Sequence, residues 1–312
     1  MGAVAIDDVH PPDLPRTPPL VLRGQRFDAS RPAIMAIVNR TRDSFWVTAG
    51  AGALEPALDV LAAAVEAGAD IVDVGGVRAG QQGEWVDAAA EVQRVRPFLA
   101  AARERFPDLP LSLDTWRSEV LEACADIGID LVNDTWAGAD PDLVRGAAAL
   151  GAGYVVSHTG GLPPRTDPVD ISYGDDPDDV VRSVLRGLAE GAQRAVDAGV
   201  RPDGVLVDPT LDFGKTTRNS LRVLRATGSV AALGYPVLQA ISRKDFVGET
   251  LDLPADERLE GSLAATAVAA WLGATVFRTH DVRATRRVVD MVASIRGDRP
   301  PASAIRGEPR AG

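Results

Sequence analysis

Thirty-one arginines carry most of the positive charge of this 312-residue chain, and only two lysines, three histidines and three asparagines accompany them. Those scarce residues are not scattered. Asn39 and Asn133 close the first and fourth of eight short apolar runs, His158 and His280 close the fifth and eighth, and Lys215 and Lys244 follow the sixth and seventh. Carboxylates take similar places: Asp114 ends "LSLD", Asp134 follows Asn133, and Asp208 ends "VLVD". A carboxylate accepts two N–H bonds, and a carboxamide offers both a donor and an acceptor. Such groups around an apolar mouth read the edge of a flat polar heterocycle, because their desolvation is costly until a ligand replaces water. Beside them stand Arg243 and Lys244 in "SRK", then Arg278 and His280 in "RTH". That cluster suits a phosphate or pyrophosphate. The Asn39 amide suits a hydrated Mg2+ beside the phosphates, since Mg2+ keeps waters and takes few protein oxygens. Singly, an asparagine after a strand is an ordinary turn residue. Six scarce residues gathered at strand ends are not explained that way.

The elements that must position them can be read from hydrophobic spacing. The eight runs cover residues 33–38, 70–74, 111–114, 130–133, 154–158, 204–209, 236–242 and 275–280. They are continuous rather than alternating, as parallel strands buried on both faces require. Between them lie alanine- and leucine-rich helical stretches. "EPALDVLAAAVEAGAD" has apolar residues at helical spacing and stops at Gly68, and "VRSVLRGLAEGAQRAVDAGV" stops at Gly199. "RLEGSLAATAVAAWLGAT" is apolar nearly all round and is expected to be well buried. Eight strand–helix units in this length predict a (β/α)8 TIM barrel, with an open doubly wound sheet as the alternative. In a barrel all the strand-end residues share the C-terminal rim, where such folds build their sites. The barrel domain is expected over residues 31–296, between proline-rich flexible tails at 1–30 and 297–312. Trp116 and Trp136 follow the third and fourth runs and read as rim packing.

Composition narrows the function classes. A net charge of −11 disfavours nucleic acid and anionic membrane as partners. No signal peptide and no membrane-spanning run is visible, and the single cysteine, Cys124, sits at helical spacing as core filler. A cytoplasmic protein is expected. No G-x-G-x-x-G or Walker A spacing occurs.

At these residues the chain resembles the dihydropteroate synthase family over about residues 31–296. The segments that carry the resemblance are "IMAIVNRTRDSF", "GADIVDVGG", "LSLDT", "LVNDT", "DFGK", "ISRKDFVGETL" and "RLEGSLAATAVAAWLGATVFRTHDV". The resemblance implies a TIM barrel, a homodimer packed through C-terminal helices, and a folate-pathway transferase. That enzyme joins a dihydropterin-CH2-pyrophosphate to p-aminobenzoate and releases pyrophosphate. It also implies that Asp114, Asn133, Asp208 and Lys244 read the pterin, with Phe213 and Arg243 at the substrate. Asn39, Arg278 and His280 take the pyrophosphate, with Asn39 at Mg2+, and Asp114, Lys244 and Arg278 form the catalytic set.

The departures from the family cluster in loops. The first loop runs Asn39-Arg40-Thr41-Arg42-Asp43-Ser44-Phe45-Trp46, with Arg42 where the family has a stiffening proline. The usual Glu-Ser-Thr-Arg-Pro-Gly of the second loop is shortened to Val77-Arg78-Ala79-Gly80, with Arg78 as the candidate replacement arginine. "SHTGGLPPRTD" lacks the common Met-His-Met pattern, and Thr210 and Asp212 stand where glycines are common. In these respects the chain resembles the divergent second paralogue of actinobacteria, and weakened coupling is expected. A catalytically silent pterin binder and a transferase with another acceptor remain the alternatives.

Overall fold

In the computed structural model, residues 16–39, 54–78, 85–166, 171–304 and 306 are described. Eight parallel strands form one sheet: β3 (Ala33–Asn39), β4 (Ile71–Gly75), β5 (Leu111–Asp114), β6 (Leu131–Asp134), β7 (Gly153–Ser157), β8 (Val205–Asp208), β9 (Leu238–Ala240) and β10 (Val276–Thr279). Their order is β8-β7-β6-β5-β4-β3-β10-β9. A parallel bridge between Val207 and Val237 joins the two ends of that order, with the Val207 N–H donating to the Pro236 carbonyl at 3.0 Å. The expected barrel is therefore present, and the open sheet is set aside. All eight runs became strands, shifted by no more than two residues at either end.

The helices α1 (Leu54–Glu66), α2 (Ala88–Arg105), α3 (Ser118–Ala123), α4 (Pro141–Ala149) and α5 (Asp179–Asp197) alternate with the first strands of the barrel. They are followed by α6 (Thr217–Arg225), α7 (Thr227–Ala231), α8 (Asp245–Leu251), α9 (Leu259–Trp271) and α10 (Val282–Ile295). Gly68 and Gly199, just past α1 and α5, have φ of +102° and +101°, the left-handed turn that ends a helix at little cost to glycine. Cys124 is buried, and burial pushes its thiol up to about 11. Among the described residues no helix is long and apolar enough to cross a membrane.

Side chains alternate along each strand, so parity decides what fills the barrel. Ala33, Met35, Ile71, Leu131, Val155, Leu206, Leu238 and Val276 form one inner cluster. Their odd-step neighbours, such as Ile34, Val72, Val132, Val207 and Phe277, pack outward under the helices.

Two expectations need correction. Residues 20–27, placed in the flexible tail, form an antiparallel hairpin of β1 (Leu20–Leu22) and β2 (Gln25–Phe27). Leu20, Leu22 and Phe27 join the inner cluster and are at most 1% exposed, so this hairpin stoppers the barrel end opposite the site. The three apolar residues gain more from burial than a proline-rich flank suggests. Residues 1–15 lie outside the described residues. The second correction concerns α9, which packs on α10 but leaves Val268 about half exposed. Its all-round apolar pattern therefore is not consumed within this chain.

Candidate functional site

The same parity that fills the lower barrel with apolar residues lifts polar ones at its mouth. Two residues beyond Ile71, Leu131, Leu206 and Val276 come Asp73, Asn133, Asp208 and Arg278 on the same inward face. Register then lines up the rim: Asn39 pairs with Gly75, Gly75 with Asp114, Asp114 with Asn133, and Ser157 with Asp208.

Arg278 ties the floor together. Its Nε donates to Asp73 at 2.6 Å and its Nη2 to Asp114 at 2.7 Å. Asp73, fully buried, also accepts from Ser112 Oγ at 2.5 Å and Asn133 Nδ2 at 3.0 Å. Among the described residues Asp114 accepts besides only from Thr135 Oγ1, at 2.7 Å. One guanidinium thus serves two carboxylates, and Asp73 holds more of the donors. Burial, then the neighbouring Asp73 charge, push the Asp114 carboxyl up to about 7 against the pull of Arg278. Sequence reading missed Asp73. Its signal was available: a carboxylate inside the otherwise apolar run "IVDV" at an inward position.

Asp208 completes the far side. It accepts from the Thr210 N–H at 2.7 Å, and burial raises its carboxyl against the opposing charge of Lys244. The Lys244 ammonium donates to the Leu211 carbonyl and lies 5.2 Å from the centroid of the Phe213 ring. Phe213 meets Trp136 edge to face at 5.6 Å, so Trp136 is the packing residue it was expected to be. Asp114, Asn133, Asp208, Phe213, Lys244 and Arg278 accordingly gather at one mouth.

The remaining expected residues are more peripheral. Arg243 pairs with Asp281 through contacts of 3.1 and 2.9 Å, which turns its guanidinium to the rim rather than the floor. His280 is exposed, with Nδ1 3.4 Å from Ser242 Oγ. The rim packed around its ring and the Arg278 charge push it down to about 4, so it is neutral at pH 7. Asn39 ends β3 half-buried, and Arg78 is exposed. Arg40, Arg42 and the rest of the first loop, with Ala79 and Gly80, lie outside the described residues. The second loop departs from Gly75–Gly76, where a Cβ on Gly76 would come within 2.9 Å of Val95 on α2. Glycine is needed there for close packing.

The loop after β8 keeps a glycine-like backbone at two positions that carry side chains. Thr210 and Asp212 have φ of +51° and +70°, which costs each roughly 1–2 kcal/mol. Local bonds offset this. Thr210 Oγ1 accepts from the His158 N–H at 3.2 Å, and the Asp212 carboxylate accepts from the Asp245 N–H at 2.7 Å. The charge added by Asp212 is therefore engaged by the start of α8.

Beneath this loop Lys215 is 2% exposed and donates to the carbonyls of His158, Phe213 and Thr210 at 2.7, 2.9 and 3.1 Å. Burial and then the Lys244 charge push its ammonium from 10.5 down to about 7. The unfolded chain therefore binds the extra proton between about pH 7 and 10, and this group makes stability rise with pH across that window. Lys215→Met is expected to lose about 1–3 kcal/mol from stranded carbonyls and to flatten the rise, measured by urea unfolding at pH 7 and 9.

A pocket lined this way fits a flat hydrogen-bonding ring with an anionic tail, and comparison with known proteins agrees. The family described as pterin binding enzyme matches residues 35–280. An inactive dihydropteroate synthase 2 of Mycobacterium leprae is 51% identical over 287 residues, covering 92% of this chain and 98% of the relative. The dihydropteroate synthase of Haemophilus influenzae is 34% identical, covering 83% and 92% respectively. A Coxiella burnetii dihydropteroate synthase solved with pteroic acid superposes with a TM-score of 0.79 at 30% identity, covering 90% of this chain and all of that one. The strand register, the buried floor and these likenesses agree that the chain belongs to the dihydropteroate synthase family of pterin-binding TIM barrels.

Proposed function

We propose that this chain binds a dihydropterin-CH2-pyrophosphate in the barrel mouth and couples it weakly to p-aminobenzoate. The observation that carries the reading is the contrast between an assembled floor and a second loop whose residues depart from the family pattern. Asp73, Asp114, Asn133, Asp208, Lys244 and Arg278 are held in mutual contact or on adjacent strands. In the sequence Val77-Arg78-Ala79-Gly80 stands where the family's Glu-Ser-Thr-Arg-Pro-Gly would cover the second substrate. The inactive relative in Mycobacterium leprae supports the same reading.

In the coupling step the methylene carbon–oxygen bond breaks and its electron pair leaves with pyrophosphate. The amine nitrogen supplies the pair for the new carbon–nitrogen bond and then loses a proton. Asp114 and Asp208 offset positive charge gathering on the pterin methylene, while the Arg278 charge offsets negative charge on the departing pyrophosphate and the neutral His280 ring offers it a hydrogen bond. A cationic pterin left open to water is hydrolysed, so a lid that has lost the family's residues lowers coupling more than binding. Among the described residues no group of three or more His, Cys, Asp or Glu could hold a metal. The Asn39 side-chain oxygen would be the protein ligand of a Mg2+ ion, which keeps most of its waters and takes few protein oxygens. There it would neutralise charge on the leaving group.

The reading extends to a cytoplasmic homodimer. Val268 on α9 and Met291 and Ile295, one turn apart on α10, stay 49–60% exposed and offer an apolar contact face. Sedimentation that shows only monomer at micromolar concentration removes that part.

The test pairs a coupling assay with calorimetry using the pterin pyrophosphate. Binding with turnover at least tenfold below an ordinary family member is expected. Turnover within about tenfold of one overturns the weak coupling, and absence of binding overturns the whole reading.

Binding should also depend on pH. A pterin N–H needs the ionised Asp114 carboxylate, half-protonated near pH 7 in the free protein. Affinity is expected to rise about tenfold from pH 6 to pH 8, because the competent fraction rises by that factor. Stability runs the other way. A carboxyl raised from 3.8 to about 7 binds its proton more tightly when folded, so its contribution falls as pH rises from about 4 to 7. Asp114→Asn should flatten both profiles, and a pH-independent affinity in the unsubstituted protein rules out the assignment.

A further inference from the structure

A cavity of about 500 Å3 lies beside the pterin mouth, between the turns that follow β6 and β7 and one face of α5. It shares none of the residues of the pterin floor; Trp136 forms the partition, with its ring against Phe213. The room comes from short side chains. Ser157, Thr159, Gly160 and Gly161 follow one another around His158 on this wall, and Gly187 brings α5 close, since a Cβ there would sit 2.9 Å from the His158 ring.

Three residues lining the cavity keep a buried polar atom without a partner: Trp136 Nε1, His158 Nδ1 and Thr159 Oγ1. The residues are 2%, 6% and 1% exposed. An unpaired buried polar atom is expensive, and native proteins carry few. His158 is held in place through Nε2, 3.1 Å from Ser183 Oγ on α5, and burial pushes its imidazole down to about 3, so the ring is neutral. The facing helix adds charge. Arg186 and Arg194 both line the cavity, and neither makes a hydrogen bond or ion pair among the described residues. Their neighbour Arg182, by contrast, is engaged by Asp176 and Asp179. The two guanidiniums, unpaired among the described residues, are donors for an acceptor-rich anion, and the buried indole N–H and hydroxyl stand in the wall behind them. The Trp136 ring, Leu162, Pro163 and Pro164 supply an apolar wall.

We propose that this cleft is a second small-molecule site, distinct from the pterin pocket, for an organic anion carrying a carboxylate or phosphate on a flat apolar body. The anionic group lies between Arg186 and Arg194, and the apolar body rests on Trp136.

The indole N–H of Trp136 is the reporter. Its 1H–15N resonance is assigned in the full chain with Trp136→Phe, then followed during titration with benzoate, phenyl phosphate, inorganic phosphate and neutral benzamide. A saturable shift with benzoate or phenyl phosphate is expected, and the tighter of the two identifies the head group. Benzamide should bind at least tenfold more weakly, and the Arg186→Gln/Arg194→Gln variant should lose tenfold or more. Both arginines are exposed, so the variant should fold, and the two single variants serve as a check. Lys244→Ala should leave the titration unchanged. The proposal is overturned by no shift with any probe, or by a shift indifferent to the arginine variants. A shift abolished by Lys244→Ala overturns it too, because the anion then sits in the barrel mouth. So does inorganic phosphate binding as tightly as phenyl phosphate while benzoate fails, since the site then recognises a bare ion.

Discussion

Replacing Arg278 with alanine should cost the folded chain about 3–5 kcal/mol, the penalty for stranding a buried charge. Asp73 is fully buried and Asp114 mostly so, and one guanidinium faces both at 2.6 and 2.7 Å. Without it Asp73 keeps, among the described residues, the Ser112 hydroxyl and the Asn133 amide, neither of which carries charge. If the loss comes from the charge left behind, Asp73→Asn added to Arg278→Ala should restore a large part of it. If it comes from lost packing, the second change should restore nothing. Urea unfolding at pH 7 separates the two. A cost below about 1 kcal/mol for Arg278→Ala would mean that the buried pair contributes little and that Arg278 is not the hub of the floor. The same substitution should abolish pyrophosphate-dependent binding, because the tail loses its principal cation.

How much of this was legible beforehand follows from what each signal depends on. The strands were legible because burial on both faces writes a continuous apolar run into the chain, and all eight were found. The gathering of Asp114, Asn133, Asp208, Lys244 and Arg278 was legible because strand ends in a closed parallel barrel share a rim. Asp73 is less legible because it lies inside an apolar run rather than at its end. Its role depends on inward parity and on a partner 205 residues away. The hairpin at residues 20–27 was hidden for a related reason. Three-residue strands carry no periodicity, and Leu20, Leu22 and Phe27 are buried only because an open barrel end is there to receive them.

The departures from the family pattern also look different once the local bonds are visible. Thr210 and Asp212 read in sequence as damage to a glycine loop, yet the backbone holds its left-handed turns, and the new side chains bond within the loop and to the start of α8. Lys215 fastens the same loop from below through three carbonyls. The pterin wall has therefore been rebuilt rather than lost. The second loop, with Val77-Arg78-Ala79-Gly80 in place of the family's residues, has no comparable repair in its sequence, and this asymmetry is why binding is expected to outlast coupling.

Lys244→Ala tests that wall directly and should weaken pterin binding by about 1–3 kcal/mol, roughly fivefold to 150-fold in Kd. The ammonium is held by the Leu211 carbonyl and by the Asp208 and Asp212 charges, and it lies 5.2 Å from the centroid of the Phe213 ring. Alanine removes both the charge and the packing, so Lys244→Met is needed beside it, because methionine keeps an apolar stem without the ammonium. The charged hydrogen bond predicts that the two variants lose similar affinity. Packing alone predicts that methionine binds like the parent. A second readout comes from Lys215, whose ammonium Lys244 pushes down. With Lys244 gone, the Lys215 pKa should climb back toward 10.5, and the pH window in which it raises stability should narrow from below. Calorimetry with the pterin pyrophosphate and urea midpoints at pH 7 and 9 give both results on the same samples. Unchanged affinity in both variants would remove Lys244 from the site.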